Sequence, residues 1–158
     1  MYARRSARVL LVDGHDRLLL LGNRFSHGEV WLTPGGGKGR FEPLAKAAAR
    51  ELFEEVGLTV DRRDLGAPVA FTSGYADLSF AKGTFRDDFF FHRVDHHDID
   101  TSRMEDLERG FHTGHRWWSL PELRSATETI YPFGLPPLLT DLLAGRRPTT
   151  PVQLPWHH

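Results

Sequence analysis

Apolar residues first gather in two short runs, residues 7–12 and 17–21, separated by Asp13-Gly14-His15-Asp16. Asp-Gly between such runs is a turn signal, so the pair predicts two strands of a hairpin. Both runs are apolar at successive positions rather than alternating, as strands covered on both faces are, although such a run is also compatible with a buried helical segment. Residues 1–6 read as a frayed start. Further on, Val30-Trp31-Leu32, residues 68–72, the aromatic-rich 85–94 and residues 116–120 predict strands, with a bend at Ser73-Gly74-Tyr75. Residues 59–65 are polar and turn-like, and 101–114 an irregular, partly helical connection. Pro121-Glu122-Leu123 opens a short helical turn. A closing helix spans 136–143, with proline at its start and Gly145 past its end. The remainder, 146–158, is Pro-rich and polar and reads as a loosely held tail; its final His157-His158 is open between native sequence and the stub of a purification tag.

The longest helical pattern lies between Pro43 and Gly57. Proline suits the first turn, glycine the left-handed cap, and the Ala, Leu, Glu and Lys between them are good helix formers. At 100° per residue, Ala45, Ala48, Ala49, Leu52 and Val56 form a packing arc. Glu51, Glu54 and Glu55 form another, since positions three and four apart are neighbours. Three adjacent carboxylates repel when ionised. They are either a solvated acidic face or a site for a hard divalent cation, which takes oxygen ligands and cancels the repulsion. Arg50, four residues before Glu54, is the local counter-charge.

Before this helix, Thr33-Pro34-Gly35-Gly36-Gly37-Lys38-Gly39 packs four glycines and a lysine into one loop. Backbone N–H groups free of side chains approach anions closely, so Gly36, Gly37 and Lys38 are candidates for holding phosphate, against the alternative of a plain turn. The spacing after Lys38 is not that of a P-loop. Arg24 and Phe25, at the end of the second strand, offer a phosphate clamp and a base-stacking ring, or else surface charge and core edge.

Gly36, five residues, Glu42, seven residues, Arg50-Glu51-Leu52, one residue, Glu54-Glu55, one residue, Gly57-Leu58: this segment resembles the Nudix box of Nudix hydrolases at every defining position. The match spans 23 residues and fixes nine of them. It departs from many members in having Gly39 where they carry a further Glu. The resemblance implies an α/β/α sandwich with a mixed central sheet and a loop-helix-loop catalytic motif. It implies hydrolysis, dependent on Mg²⁺ or alternatively Mn²⁺, of a nucleoside diphosphate linked to another moiety. By the same resemblance Glu51, Glu54 and Glu55 are metal ligands, and Arg50 is an ion-pair partner orienting a box Glu, by its spacing Glu54. Glu42 helps hold the loop or the metal. The general base is a box Glu or an acid from a later loop, for which Glu105 and Glu108 stand before the last strand. Glu54, Glu55, Arg50 and Glu108 are thus the expected catalytic set.

Substrate choice in this family lies outside the box. Tyr75, 17 residues past Leu58, matches a feature of dinucleoside polyphosphate hydrolases; Pro68 is too early for the proline associated with ADP-ribose hydrolases. Phe25, Tyr75, Phe85 and Trp118 form an adenine slot or belong to the core. Trp31 reads as core. Trp117 and Trp118 point to opposite faces of their strand, so at most one is expected to face the core.

The remaining features narrow the picture by exclusion. A length of 158 residues suits one domain over 1–145 plus the tail. With a net charge of −1, no strong pull toward nucleic acid or anionic membrane is expected. The absence of cysteine removes disulfides, thiolate metal sites and Cys nucleophiles and suits the cytoplasm. No apolar run reaches the ~18 residues of a membrane span, and Asp13, Gly14 and Asp16 break the N-terminal stretch, so it is no signal peptide. His96, His97, Asp98 and Asp100 resemble a metal cluster only by composition and read as a surface loop. The expected partner is a small nucleotide; homodimer formation, with 85–94 as interface or core, stays open. The competing class is a catalytically silent Nudix-like module that senses a nucleotide, although such modules are expected to lose box acids.

Overall fold

The computed structural model describes residues 1–158. The first hairpin forms as expected. β1 (Arg4–Val12) turns through Asp13, whose carboxylate accepts from the His15 and Arg17 backbone N–H groups, into β2 (Leu18–Phe25). β3 (Gly28–Leu32) pairs antiparallel with β2, and the glycine loop itself forms a short strand, β4 (Gly35–Gly37). A 13-residue helix, α1 (Leu44–Val56), follows. Beyond it come β5 (Ala70–Asp77), β6 (Lys82–Arg93), α2 (Asp106–Arg109), β7 (His112–Trp118), α3 (Leu120–Ser125), β8 (Thr129–Tyr131), α4 (Leu135–Leu143) and β9 (Val152–Gln153).

The sheet is mixed, ordered β8-β3-β2-β1-β6-β5-β9, with β7 added to β2 and β4 to β1. β1 and β6 run parallel from Arg4↔Phe85 to Val12↔Arg93. β1 touches β2 only at Val12↔Leu18. Further along, β1 pairs instead with β4, at Ser6↔Gly37, Ala7↔Gly36 and Arg8↔Gly35, while β2 takes β7. The sheet therefore forks between β1 and β2, and the candidate site occupies the fork.

Both sheet faces are covered, which is why the strands read as continuous apolar runs. On one face Leu10, Val12, Leu18, Leu20, Phe89 and Trp118 pack against Leu135, Leu138, Leu139 and Leu142 of α4. On the other, Ala7, Val9, Leu11, Leu19, Leu21 and Phe90 pack against Ala47, Ala48, Leu52 and Val56 of α1. This is the expected α/β/α sandwich. No helix is long and apolar enough to cross a membrane.

Several local expectations are corrected. The chain is in strand from Arg4, not frayed to Ser6, because β6 pairs along the whole of β1. Ser73-Gly74-Tyr75 is mid-strand, not a bend. Trp118 lies in one core cluster while Trp117 packs against the other, so both sides of that strand face core. Phe85, Phe89 and Phe90 are buried within the chain. The tail is held: Val152 donates to Val69 O, Leu154 donates to Phe71 O, and Leu154 is buried. Trp156 lies on Gly74, where a Cβ would overlap its ring, and its indole donates to Tyr75 O at 3.0 Å.

Candidate active site

α1 begins after Pro43 and ends at Gly57, in the left-handed conformation at φ 73°. Its acidic arc is not a solvated face. Glu51 and Glu55 are each only 5% exposed, alongside Leu52 and Val56. They lie under the fork, where the side-chain-free β4 backbone lets carboxylates approach. A Cβ on Gly36 would lie 2.6 Å from Glu51 Oε1, so only glycine leaves room. The Gly35 N–H donates to Glu55 Oε2 at 3.1 Å.

Arg50 ties loop to helix. Its Nε and Nη2 donate to the two oxygens of Glu42, each at 2.9 Å, Nη2 also reaches Gly37 O at 3.0 Å, and Nη1 donates to Glu51 Oε1 at 3.0 Å. The contact with Glu54, the partner its spacing suggested, is the longest at 3.4 Å. The fork geometry explains the change: Arg50 turns toward the loop, where a bidentate partner and a carbonyl are available. Glu42 is held down to about 2, chiefly by its hydrogen bonds with Arg50, and it also accepts from the Gly39 N–H at 2.9 Å.

The third carboxylate beside Glu51 and Glu55 is Glu108, from α2. One oxygen of each lies within 4.8 Å of the others. Burial, then the Glu108 charge, raises Glu51 above its ordinary value. Burial, then Glu108 and Glu51, raises Glu55 well above it. Glu108 is raised chiefly by burial, with Glu105 and Glu54 adding repulsion. Glu51 Oε2 is buried and has no hydrogen-bond partner. Burying like charges this way is costly unless something cationic is held there. Three clustered oxygen donors, one of them unpartnered, fit a hard divalent cation such as Mg²⁺ or Mn²⁺.

The acids open on a cavity of about 450 Å³, walled also by Arg4 and Arg8 from β1 and by Asn23, Phe25, Phe111 and His112 at the β2–β7 end. The Phe25 and Phe111 rings lie 5.3 Å apart.

A family model described as the NUDIX domain matches residues 2–139. The chain belongs to the Nudix family. No curated protein matches it by sequence. A MutT protein from Methanosarcina mazei Go1 has the same fold, with a TM-score of 0.66 at 19% identity, covering 92% of this chain and 96% of that one. An Ap4A hydrolase from C. elegans superposes with a TM-score of 0.62 at 17% identity, covering 90% and 98%. A bifunctional NMN adenylyltransferase/ADP ribose pyrophosphatase from Francisella tularensis, complexed with AMP and a Mn ion, gives 0.59 at 17%, covering 89% and 41%.

Within the Nudix cavity the structure gathers Gly36, Gly37, Phe25, Arg50, Glu51, Glu55 and Glu108 from the expected set, and Glu105 lines it as well. Glu54 stays outside the carboxylate triad, against Arg50. Lys38 turns away and donates to Gly39 O and Arg40 O. Arg24 is 69% exposed and nearest Glu29, at 3.8 Å. Tyr75 is 58% exposed, on β5 beside Trp156 and outside the cavity. Phe85 packs with Phe80 and Trp156, and Trp118 is core, so of the four aromatics proposed for an adenine slot only Phe25 lines the cavity. Arg4, Arg8, Phe111 and His112 were not anticipated. The signal available for the arginines was their even spacing, which puts both on one face of a strand.

Proposed function

We propose that this protein cleaves a phosphoanhydride bond in a nucleoside diphosphate linked to another moiety, using Mg²⁺ or Mn²⁺ held by Glu51, Glu55 and Glu108. The observation that carries this reading is the buried triad with its unpartnered Glu51 oxygen, opening on a cavity that also offers cations and aromatic rings. Held by these oxygens, the ion supplies neutralisation of the anhydride oxygens and acidification of water. Arg50 fixes Glu51 through one oxygen and leaves the other uncommitted. The Gly35 N–H orients Glu55 in the same way. We assign to Glu54, outside the triad with 25% of its side chain exposed, the proton of the attacking water; Glu105, which lines the cavity, is the other carboxylate outside the triad that could take it. Phe25 and Phe111 give the base a stacking surface at the far end. The neighbours named for Ap4A and ADP-ribose hydrolysis act on compounds of this general class, which supports the reading.

The test is phosphate release, coupled to a phosphatase, from ADP-ribose, diadenosine polyphosphates, sugar nucleotides, NADH and nucleoside triphosphates, with Mg²⁺, Mn²⁺ or EDTA. Turnover of at least one class that EDTA abolishes is expected. Turnover unaffected by EDTA, or none across the panel from folded protein, counts against it.

A further inference from the structure

The arginines of β1 divide by face. Arg5 donates to Asp88 at 2.7 Å and is thereby neutralised. Arg4 and Arg8 point the other way, into the cavity. Arg8 is anchored by Thr33 O at 3.0 Å and stands 3.7 Å from Asp87, which leaves most of its N–H groups uncommitted. Among the arginines that are not exposed, Arg4 alone makes neither a hydrogen bond nor an ion pair; it stands over the face of Phe80, 5.1 Å from the ring centre. A guanidinium that makes no bond within the chain is left able to pair with an incoming anion.

The glycine strand explains how the cation reaches the site. A Cβ on Gly36 would meet the Glu51 carboxylate, and one on Gly37 would lie 3.1 Å from Arg4 Nε. Successive residues of β4 thus make room for an acid on one side and a guanidinium on the other, with only bare backbone between them. Arg4 makes no ion pair within 4.0 Å with any carboxylate, although Asp87, Glu51 and Glu108 are near enough to favour its charged form.

We propose that Arg4 and Arg8 form an anion subsite that takes a phosphate beyond the anhydride being cut, so that substrates with three or more consecutive phosphates are preferred to two-phosphate diesters. This rests on the reading of the cavity as an anhydride-cleaving site. The ion that the triad would hold takes oxygens of the anhydride being cut, and its charge is already outnumbered by the three carboxylates. The two arginines on the adjoining wall match an additional phosphate, which presents the oxygens guanidinium groups pair with best.

Calorimetric binding of inorganic tripolyphosphate and inorganic pyrophosphate to the full chain, with Ca²⁺ present, tests the subsite. Wild-type protein is expected to bind tripolyphosphate more tightly by about tenfold, equivalent to ~1.4 kcal/mol. Arg4→Gln and Arg8→Gln should each erase most of that preference and leave pyrophosphate binding within about threefold, and Arg4→Lys should restore part of it. Equal affinity of wild type for the two anions overturns the proposal without any variant, as does a preference that survives both Gln substitutions. Turnover is not read here, so a missing hydrolysis would bear on the reaction and not on the subsite.

Discussion

Arg50 holds Glu42 with two parallel bonds of 2.9 Å, eight residues apart in the chain and joined across the loop–helix boundary. Glu42 is only 14% exposed on its side chain, and the bonds hold it down to about 2 from 4.5. A carboxyl with a lowered folded-state pKa stabilises fully above its unfolded value and loses that contribution as pH falls through the folded one. Glu42→Gln should therefore lower the melting temperature at pH 7 by about 3–6 °C, for a loss of ~1–2 kcal/mol. It should also flatten the loss of stability between pH 4.5 and about 2. Thermal melts across that range check both; an unchanged acid slope would contradict the assignment.

The triad has the opposite sign. Glu51, Glu55 and Glu108 are all raised above 4.5 in the metal-free protein. Such groups stabilise below their unfolded pKa and lose that stability as pH rises through the folded values. In EDTA the melting temperature should fall as pH rises above the ordinary carboxylate range, and Mg²⁺ or Mn²⁺ should reverse most of the fall. A metal-free curve that stays level would show that the three acids are not forced together.

Gly36→Ala tests the close approach of loop and acid. The new methyl would meet Glu51 Oε1 at 2.6 Å, so the carboxylate must move. A displacement of about 1 Å at a reacting centre costs ~10²-fold in rate. Turnover should fall by that order and metal affinity should weaken, with the far-ultraviolet spectrum unchanged. Near-normal turnover would place Glu51 outside the machinery.

Glu54→Gln separates base from ligand. Removing a general base typically costs ~10²–10⁴-fold. Turnover should drop by that order while metal affinity stays within a few-fold, because Glu54 is outside the triad. Loss of metal affinity in step with turnover would make Glu54 a ligand instead.

The residues legible in the sequence are those whose relation is local. Glu51 and Glu55 share a helix face by spacing alone, and the apolar runs of β1 and β2 announced burial on both sides. Glu108 was visible only as one of two loop acids; that it rather than Glu105 completes the triad depends on how α2 docks over the fork. Arg50 chose Glu42 over Glu54 because the loop folds back onto the helix, which helical spacing does not register. Arg4 is hidden in the sequence because the apolar run of β1 starts only at Ala7, and the register of β1 with the glycine strand exists only after folding. Tyr75 lies the right number of residues past the box but on β5, which carries it to the edge held by Trp156. The tail looked unheld because a two-residue strand and one tryptophan leave little periodic pattern.

Mn²⁺ titration followed by electron paramagnetic resonance, on wild type and on Glu108→Gln, measures whether Glu51, Glu55 and Glu108 together hold the divalent ion. Stoichiometric Mn²⁺ binding by wild type is expected, weakened at least about tenfold by the single substitution, a loss of ~1.4 kcal/mol. Wild-type affinity in folded Glu108→Gln protein would contradict it and return the site to the α1 glutamates alone.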